Sequence, residues 1–315
     1  MSIGILTAEI NRLSDSVRDH INTHRYQSAL LEDSKTWNQI CSSLDVIEDS
    51  AYAVGSYEAA EFPEDTGLKY IYTYGILQAL FLMQDAVRHL SEAFNIPFEL
   101  TKVLRDIREI RNASIGHPTK QGRKEKLYYN YISRITMGKS GFDLMRSSGD
   151  REHSFTHVDI SSACSDQLQG TIDAYSKIAE KLEEIDRMHK EKFSDKLLTD
   201  IFHSAMGYLF EKISQGIHSQ SYGDRNFGHV QVGALKKTYK KFEAALLERN
   251  EFNEFIEYDL NEYFHAIDRL DHYLSGSDAS MEEVDARIYL SYLRHEHGRF
   301  VQIAKEIDEE YETQT

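Results

Sequence analysis

LKYIYTYGILQALFLMQDAVRHLSEAF, residues 68–94, decides the fold of this chain. Leu68, Ile71, Gly75, Ala79, Met83, Ala86, Leu90 and Phe94 recur at steps of three and four, the period of an α-helix. Around residues 70–83 the segment is apolar on almost every side, which predicts a central helix buried on most faces rather than a surface helix with one wet face. Its most apolar part, residues 76–83, is far shorter than the roughly 20 residues that span a bilayer, so no membrane association is expected. One polar line interrupts the helix: Gln78, Asp85 and His89 fall within a narrow angular window. A surface edge or a satisfied buried network explains such a line, and a contribution to a site is the other reading.

The same period extends outward on both sides. Residues 3–25 and 35–55 read as a helical hairpin with a break near 31–34. Residues 99–115 form the next helix, and 120–126 a basic connector. Three alternating segments follow at 127–137 (LYYNYISRITM), 142–146 and 154–160 (SFTHVDI), separated by the turns GKSG and SSGDRE, and they predict a small antiparallel sheet. Ser165 is expected to cap an amphipathic helix with Leu168, Ile172, Tyr175, Ala179, Leu182 and Ile185 on one face. Beyond Ser194, helical spacing in 194–217, 233–248, 251–274 and 280–311 predicts a second helical bundle. QSYGDRNFGHVQVG at 220–233 reads as its connecting loop, glycine-rich but without the G-x-x-x-x-G-K pattern of a phosphate cradle. The expected class is mainly α: a helical domain over 1–190 with a β insertion at about 127–160, then a helical domain over 194–315.

Composition supports this and narrows the function. Three prolines in 315 residues favour long uninterrupted helices. Two distant cysteines, Cys41 and Cys164, form neither a disulfide framework nor a zinc knuckle. The opening MSIGILTAEINRLSDSVRD does not read as a signal peptide, so a reducing cytoplasm is the expected location. With 36 basic against 52 acidic residues the formal charge is -16, which repels long nucleic acid and leaves only a local basic patch to grip an RNA loop.

The segment with chemistry is TKVLRDIREIRNASIGHPTK, residues 101–120. Val103, Ile107, Ile110 and Ser114 make one stripe, with Arg105, Arg108 and Glu109 facing away. Arg111 breaks the pattern, projecting between Leu104 and Ile107 into the apolar sector, where a charge seldom sits unless it is paired or placed for a task. Gly116 is expected to end the helix in the left-handed conformation, and Pro118 pushes His117 toward an extended backbone. The stop matters, because residues six apart on an unbroken helix point about 120° away from one another.

R-N-x-x-x-x-H at residues 111–117, following an apolar and charged helix, resembles the R-x(4–6)-H signature of the HEPN superfamily, in which a polar residue such as Asn112 commonly follows the arginine. The resemblance covers residues 1–190 and implies a HEPN-like helical bundle carrying the β segment as an insertion. It further implies a metal-independent endoribonuclease, in prokaryotic defence or stress, whose two motifs meet across a homodimer as one composite site. Arg111 and His117 would be the catalytic pair, with Asn112 assisting. Histidine can exchange protons with a ribose 2′-hydroxyl and a leaving 5′-oxygen, and arginine presents a charged planar fork to the phosphate. The products implied are a 2′,3′-cyclic phosphate and a 5′-hydroxyl; no cofactor or metal is called for. Pro118, the inserted sheet and threonine at 119 depart from the general pattern, the last speaking against toxins neutralised at a tyrosine there. Lys120, Arg123, Lys124 and Lys126, followed by Tyr128, Tyr129 and Tyr131, are the candidate RNA contacts, with a solvated connector as the equal alternative.

Other clusters carry less. His295, Glu296 and His297 have metal-ligand composition but not the four-residue spacing that puts two histidines on one helix face. His153 and His157 share a strand face without a third ligand, and Lys236, Lys237, Lys240 and Lys241 read as an exposed helix face. Two other functions stay open: a catalytically silent HEPN-like module that binds a protein partner through its apolar helices and C-terminal domain, which the acidic charge favours, and a plain helical scaffold.

Overall fold

A computed structural model describes residues 1–23, 25–27, 33–123, 126–148, 153–219, 222–277 and 280–311. The chain is mainly α with one small antiparallel sheet, and it divides into two compact units, residues 1–22 with 30–183 and residues 23–29 with 184–315.

In the first unit, α1 (Ile3–Ile21), α2 (Ser34–Ala59) and α3 (Thr66–Ala93) pack in sequence order, with Ile10, Leu44, Leu80 and Met83 fully enclosed. Short polar side chains set their starts: Asp33 accepts from the Lys35 and Thr36 amides, and Asp65 from the Leu68 amide at 2.9 Å. The central helix is less buried than its apolar sequence predicts. Leu68, Ile71, Tyr74 and Leu82 are exposed, Ile71 by 64%, because α2 and α4 cover only part of its circumference.

The sheet is present, with four strands in the order β1 (Gln121–Arg123), β2 (Lys126–Ile132), β3 (Gly141–Ser148) and β4 (His153–Asp159). The first strand lies within the stretch read as a basic connector. Its register puts Gln121 against Tyr128 and Gly122 against Leu127, and Gly122 takes a positive φ of 107° that a residue without a side chain adopts freely. The helix after the sheet, α5 (Ile160–Phe193), begins five residues before Ser165, because Asp159 caps it by accepting from the Ser162 amide at 2.8 Å; Ser165 lies inside the helix and donates to the Ser161 carbonyl. Ile185 is exposed rather than on the buried face, which Leu168, Tyr175 and Leu182 supply.

The second unit contains α6 (Met206–His218), α7 (Tyr222–Glu248), α8 (Glu254–Ser275) and α9 (Glu283–Tyr311) around Tyr239, Phe242, Tyr263 and Phe300. The glycine-rich stretch expected to be a loop is largely helix. A Cβ at Gly228 would lie 3.0 Å from the Gly216 Cα and 3.3 Å from the Lys212 carbonyl, so these glycines let α6 and α7 approach backbone to backbone. The low propensity of glycine in a helix is offset here by packing. No described helix is long and apolar enough to cross a membrane.

Candidate active site

The site is built on α4 (Lys102–Arg111), a ten-residue helix capped by Thr101, whose hydroxyl accepts from the Leu104 amide. Leu104 and Ile107 are its buried positions, and Val103, expected beside Ile107, is exposed. Continuing the buried line by one turn brings Arg111 inward, where neutral acceptors and a ring face hold its guanidinium. Nε and Nη2 donate to Gln78 Oε1 at 3.1 and 2.8 Å, Nη1 donates to Asn112 Oδ1 at 3.1 Å, and the guanidinium lies 4.1 Å from the centre of the Phe81 ring. Arg108 covers Phe81 at 4.2 Å and donates to Asp85 at 2.9 Å. The polar line of α3 is thus a receiving edge for two arginines of α4, with Gln78 and Asp85 one partner each; His89 lies 3.1 Å from Arg88 instead.

Below this edge the interface is also polar. Gln84, 1% exposed, donates to the Leu104 carbonyl at 2.9 Å and to Gln167 Oε1 at 2.8 Å, tying α3, α4 and α5 together. Buried amides of this kind are costly unless paired, so they fix the register of α4 against α3. Nothing in the sequence period marks Gln84 or Gln167, since each occupies a position where an apolar residue would fit equally well.

The helix does not end in a left-handed glycine. Residues Asn112–Gly116 form a turn of π-helix closed by the His117 amide on the Asn112 carbonyl at 2.7 Å. Gly116 keeps negative φ, and its use is spatial: a Cβ there would stand 2.8 Å from Arg111 Nη1 and 3.3 Å from Asn112 Oδ1. The wider turn places the Arg111 guanidinium over Gly116, immediately before His117. His117 leaves the helix at φ -140°, ψ 52°, with an exposed side chain that has no hydrogen-bond partner among the described residues. The next residue is anchored by the sheet, since the Asn130 amide of β2 donates to the Pro118 carbonyl at 2.8 Å. Asn130 in turn donates to Gln121, and Arg146 donates to Asn130 and lies over the Tyr128 ring at 5.1 Å.

Arg111, Asn112 and the backbone leading to His117 therefore come together. Of the candidate RNA contacts, Lys120 is exposed just beyond Pro118, Arg123 and Lys126 face each other as a backbone pair of β1 and β2, and Lys124 and the side chains of Arg123 and Lys126 lie outside the described residues. Among the described residues no group of three or more His, Cys, Asp or Glu side chains could hold a metal. His157 pairs with Asp143 at 2.8 Å, and His297 turns inward to the Tyr239 hydroxyl at 2.8 Å. Lys236 and Lys240 are engaged by Asp268 and Glu243.

The second unit holds a cluster that the sequence does not announce. His189 Nε2 lies 2.9 Å from the Tyr311 hydroxyl, which donates to Glu251 at 3.1 Å, while Arg25 pairs with Asp186. Burial, with Arg25 and Lys192 nearby, holds the His189 imidazole down at about 4, and burial pushes the Glu251 carboxyl up. The five residues come from four distant stretches of chain, so no local motif could reveal them. Comparison with protein-family models, with curated protein sequences and with solved structures gave no match for this chain.

Proposed function

We propose that the chain is a metal-independent endoribonuclease of HEPN type, acting as a homodimer in which two copies of the 111–117 segment form one site. The observation that carries this reading is the π turn at Asn112–Gly116, which holds the Arg111 guanidinium over Gly116 and leads directly into His117, exposed and without a hydrogen-bond partner among the described residues. Such turns are enriched at functional sites. In this reading Arg111 steadies the phosphate, Asn112 fixes the guanidinium, and His117 exchanges the proton of the attacking 2′-hydroxyl or the leaving oxygen. Lys120 and its basic neighbours supply phosphate contacts. Ile71, Tyr74 and Leu82, which flank Gln78 on the exposed side of α3, give the second copy an apolar face to cover.

Two observations favour a second reading, a catalytically silent interaction module. Three Arg111 nitrogens already donate within the chain, and the formal charge of -16 opposes RNA. The deciding experiment incubates wild type and His117→Ala with tRNA and single-stranded RNA in excess EDTA and identifies the fragment ends. Cleavage with cyclic-phosphate ends by wild type alone supports the ribonuclease. Equal activity of both proteins removes His117 from the chemistry, cleavage only with added divalent metal removes the mechanism, and no cleavage by either protein moves the reading to the module. A strictly monomeric chain in light scattering at micromolar concentration removes the composite site.

A further inference from the structure

A groove of about 530 Å³ runs between α8 and α9 in the second unit, far in sequence from the 111–117 segment. Its walls are Tyr258, Glu262 and His265 from α8 and Ile288, Tyr289 and Tyr292 from α9. The spacing follows from helix geometry, since residues 258, 262 and 265 share one face of α8 and 288, 289 and 292 one face of α9. Three phenol rings and an imidazole in one groove give several π faces, and the His265 and Tyr289 rings meet edge to face at 6.3 Å.

A single carboxylate stands among them. Glu262 accepts from the Tyr258 hydroxyl at 2.9 Å and more loosely from the Tyr292 hydroxyl at 3.4 Å, and it has no basic partner among the described residues. The nearest carboxylates are not free in this way: Asp259 and Glu296 share Arg299. Burial and the neighbouring carboxylates push the Tyr292 phenol up to about 12, so it remains a donor toward Glu262. Tyr258 and Ile288 are 64% and 62% exposed, which leaves the mouth open and apolar. A carboxylate without a basic partner, in a groove lined by aromatic rings, attracts an organic cation. Apart from Glu262 and Asn261 the lining is aromatic or apolar, so the groove offers ring and methyl contacts rather than a set of hydrogen-bond acceptors, which suits a cation without N–H donors better than a guanidinium with five.

We infer that the α8–α9 groove is a binding site for a methylated ammonium group, held by the faces of Tyr258, Tyr289 and Tyr292 and the charge of Glu262. The test uses the full chain with labelled isoleucine and alanine methyl groups and follows Ile288 and Ala266 by NMR during titration. The probes are choline, trimethyl-lysine amide, and 3,3-dimethylbutanol, the neutral shape-match of choline. Saturable shifts at these two methyls are expected with both cations, and binding roughly tenfold weaker with the neutral alcohol. Whichever cation binds tighter identifies the source, a small metabolite head or a modified lysine. Glu262→Gln, a change at an exposed side chain, should weaken both cations about tenfold and leave the alcohol unchanged, while Tyr289→Leu should weaken the cations with the remaining methyl spectrum preserved. Equal binding of alcohol and cation, cation binding untouched by Glu262→Gln, or no saturable shift with either cation would overturn the inference.

Discussion

RNASIGH at residues 111–117 and RHEHGR at residues 294–299 hold nearly the same residue types, arginine, histidine and glycine within seven positions, and the protein treats them in opposite ways. The second lies wholly within the regular helix α9, whose pitch spreads its groups around the axis. His295 faces water, Glu296 is buried against Arg299 at 2.6 Å, and His297 packs between Phe202 and Phe210 under the Tyr239 hydroxyl. The first crosses from α-helix into a π turn, and the added residue per turn gathers the guanidinium, the Asn112 amide and the Gly116 backbone on one side. Composition thus says little about a site until the backbone pitch is known. A charge on the apolar side of its helix says more, because Arg111 needs Gln78 and Phe81 to be held there.

The contrast is broken most directly at the two histidines and what lies behind them. If the ribonuclease reading holds, His117→Ala should lower the cleavage rate by roughly 10² to 10⁴ while the thermal midpoint stays put, since the side chain is exposed and bonded to nothing described. A matching fall in the midpoint would make His117 structural. Behind His297, Phe300→Ala should cost about 3–5 kcal/mol of stability in denaturant unfolding, because the ring is 1% exposed and packs on Tyr239, Phe242 and Tyr263. A loss below about 1 kcal/mol would mean that the aromatic core is not as closely packed as described.

The glycines sharpen the comparison at smaller scale. Gly298 has open space where a Cβ would go, so Gly298→Ala should stabilise by about 0.4–1 kcal/mol through the unfolded chain. Gly116→Ala places a methyl 2.8 Å from Arg111 Nη1 and should displace the guanidinium; if the ribonuclease reading holds, cleavage should fall about tenfold, equivalent to roughly 1.4 kcal/mol, with little change in stability because the obstructing group is the end of a long side chain. Equal stabilisation and unchanged cleavage in both variants would remove the special role of the π turn.

A separate effect is in pH. His189 is lowered from 6.5 to about 4 in the folded chain, chiefly by burial. Between those values the unfolded chain binds a proton that the folded one does not, so the contribution is present above pH 6.5 and fades as pH falls toward 4. His297, also lowered by burial, acts in the same direction. His189→Asn should flatten the fall in midpoint across this window; an unchanged slope would separate His189 from the acid sensitivity of the second unit.

Apolar periodicity was enough to read the mainly helical class, a small sheet within 127–160 and the misplaced charge at Arg111, because each is a local pattern that one face of a helix or strand must satisfy. Periodicity could not distinguish a glycine that ends a helix from one that admits another helix, so the helix through Gly228 and the strand at Gln121–Arg123 depended on partners distant or unmarked in sequence. The exposure of Ile71 and Leu82 had the same cause, since an apolar residue does not record whether a neighbour covers it. Only the tertiary structure decided that Arg111 rests on Gln78 and Phe81, that Pro118 is tied to β2, and that Glu262 stands among three tyrosines. These are contacts between segments, and their energies depend on which groups the fold desolvates together rather than on any residue's immediate neighbours.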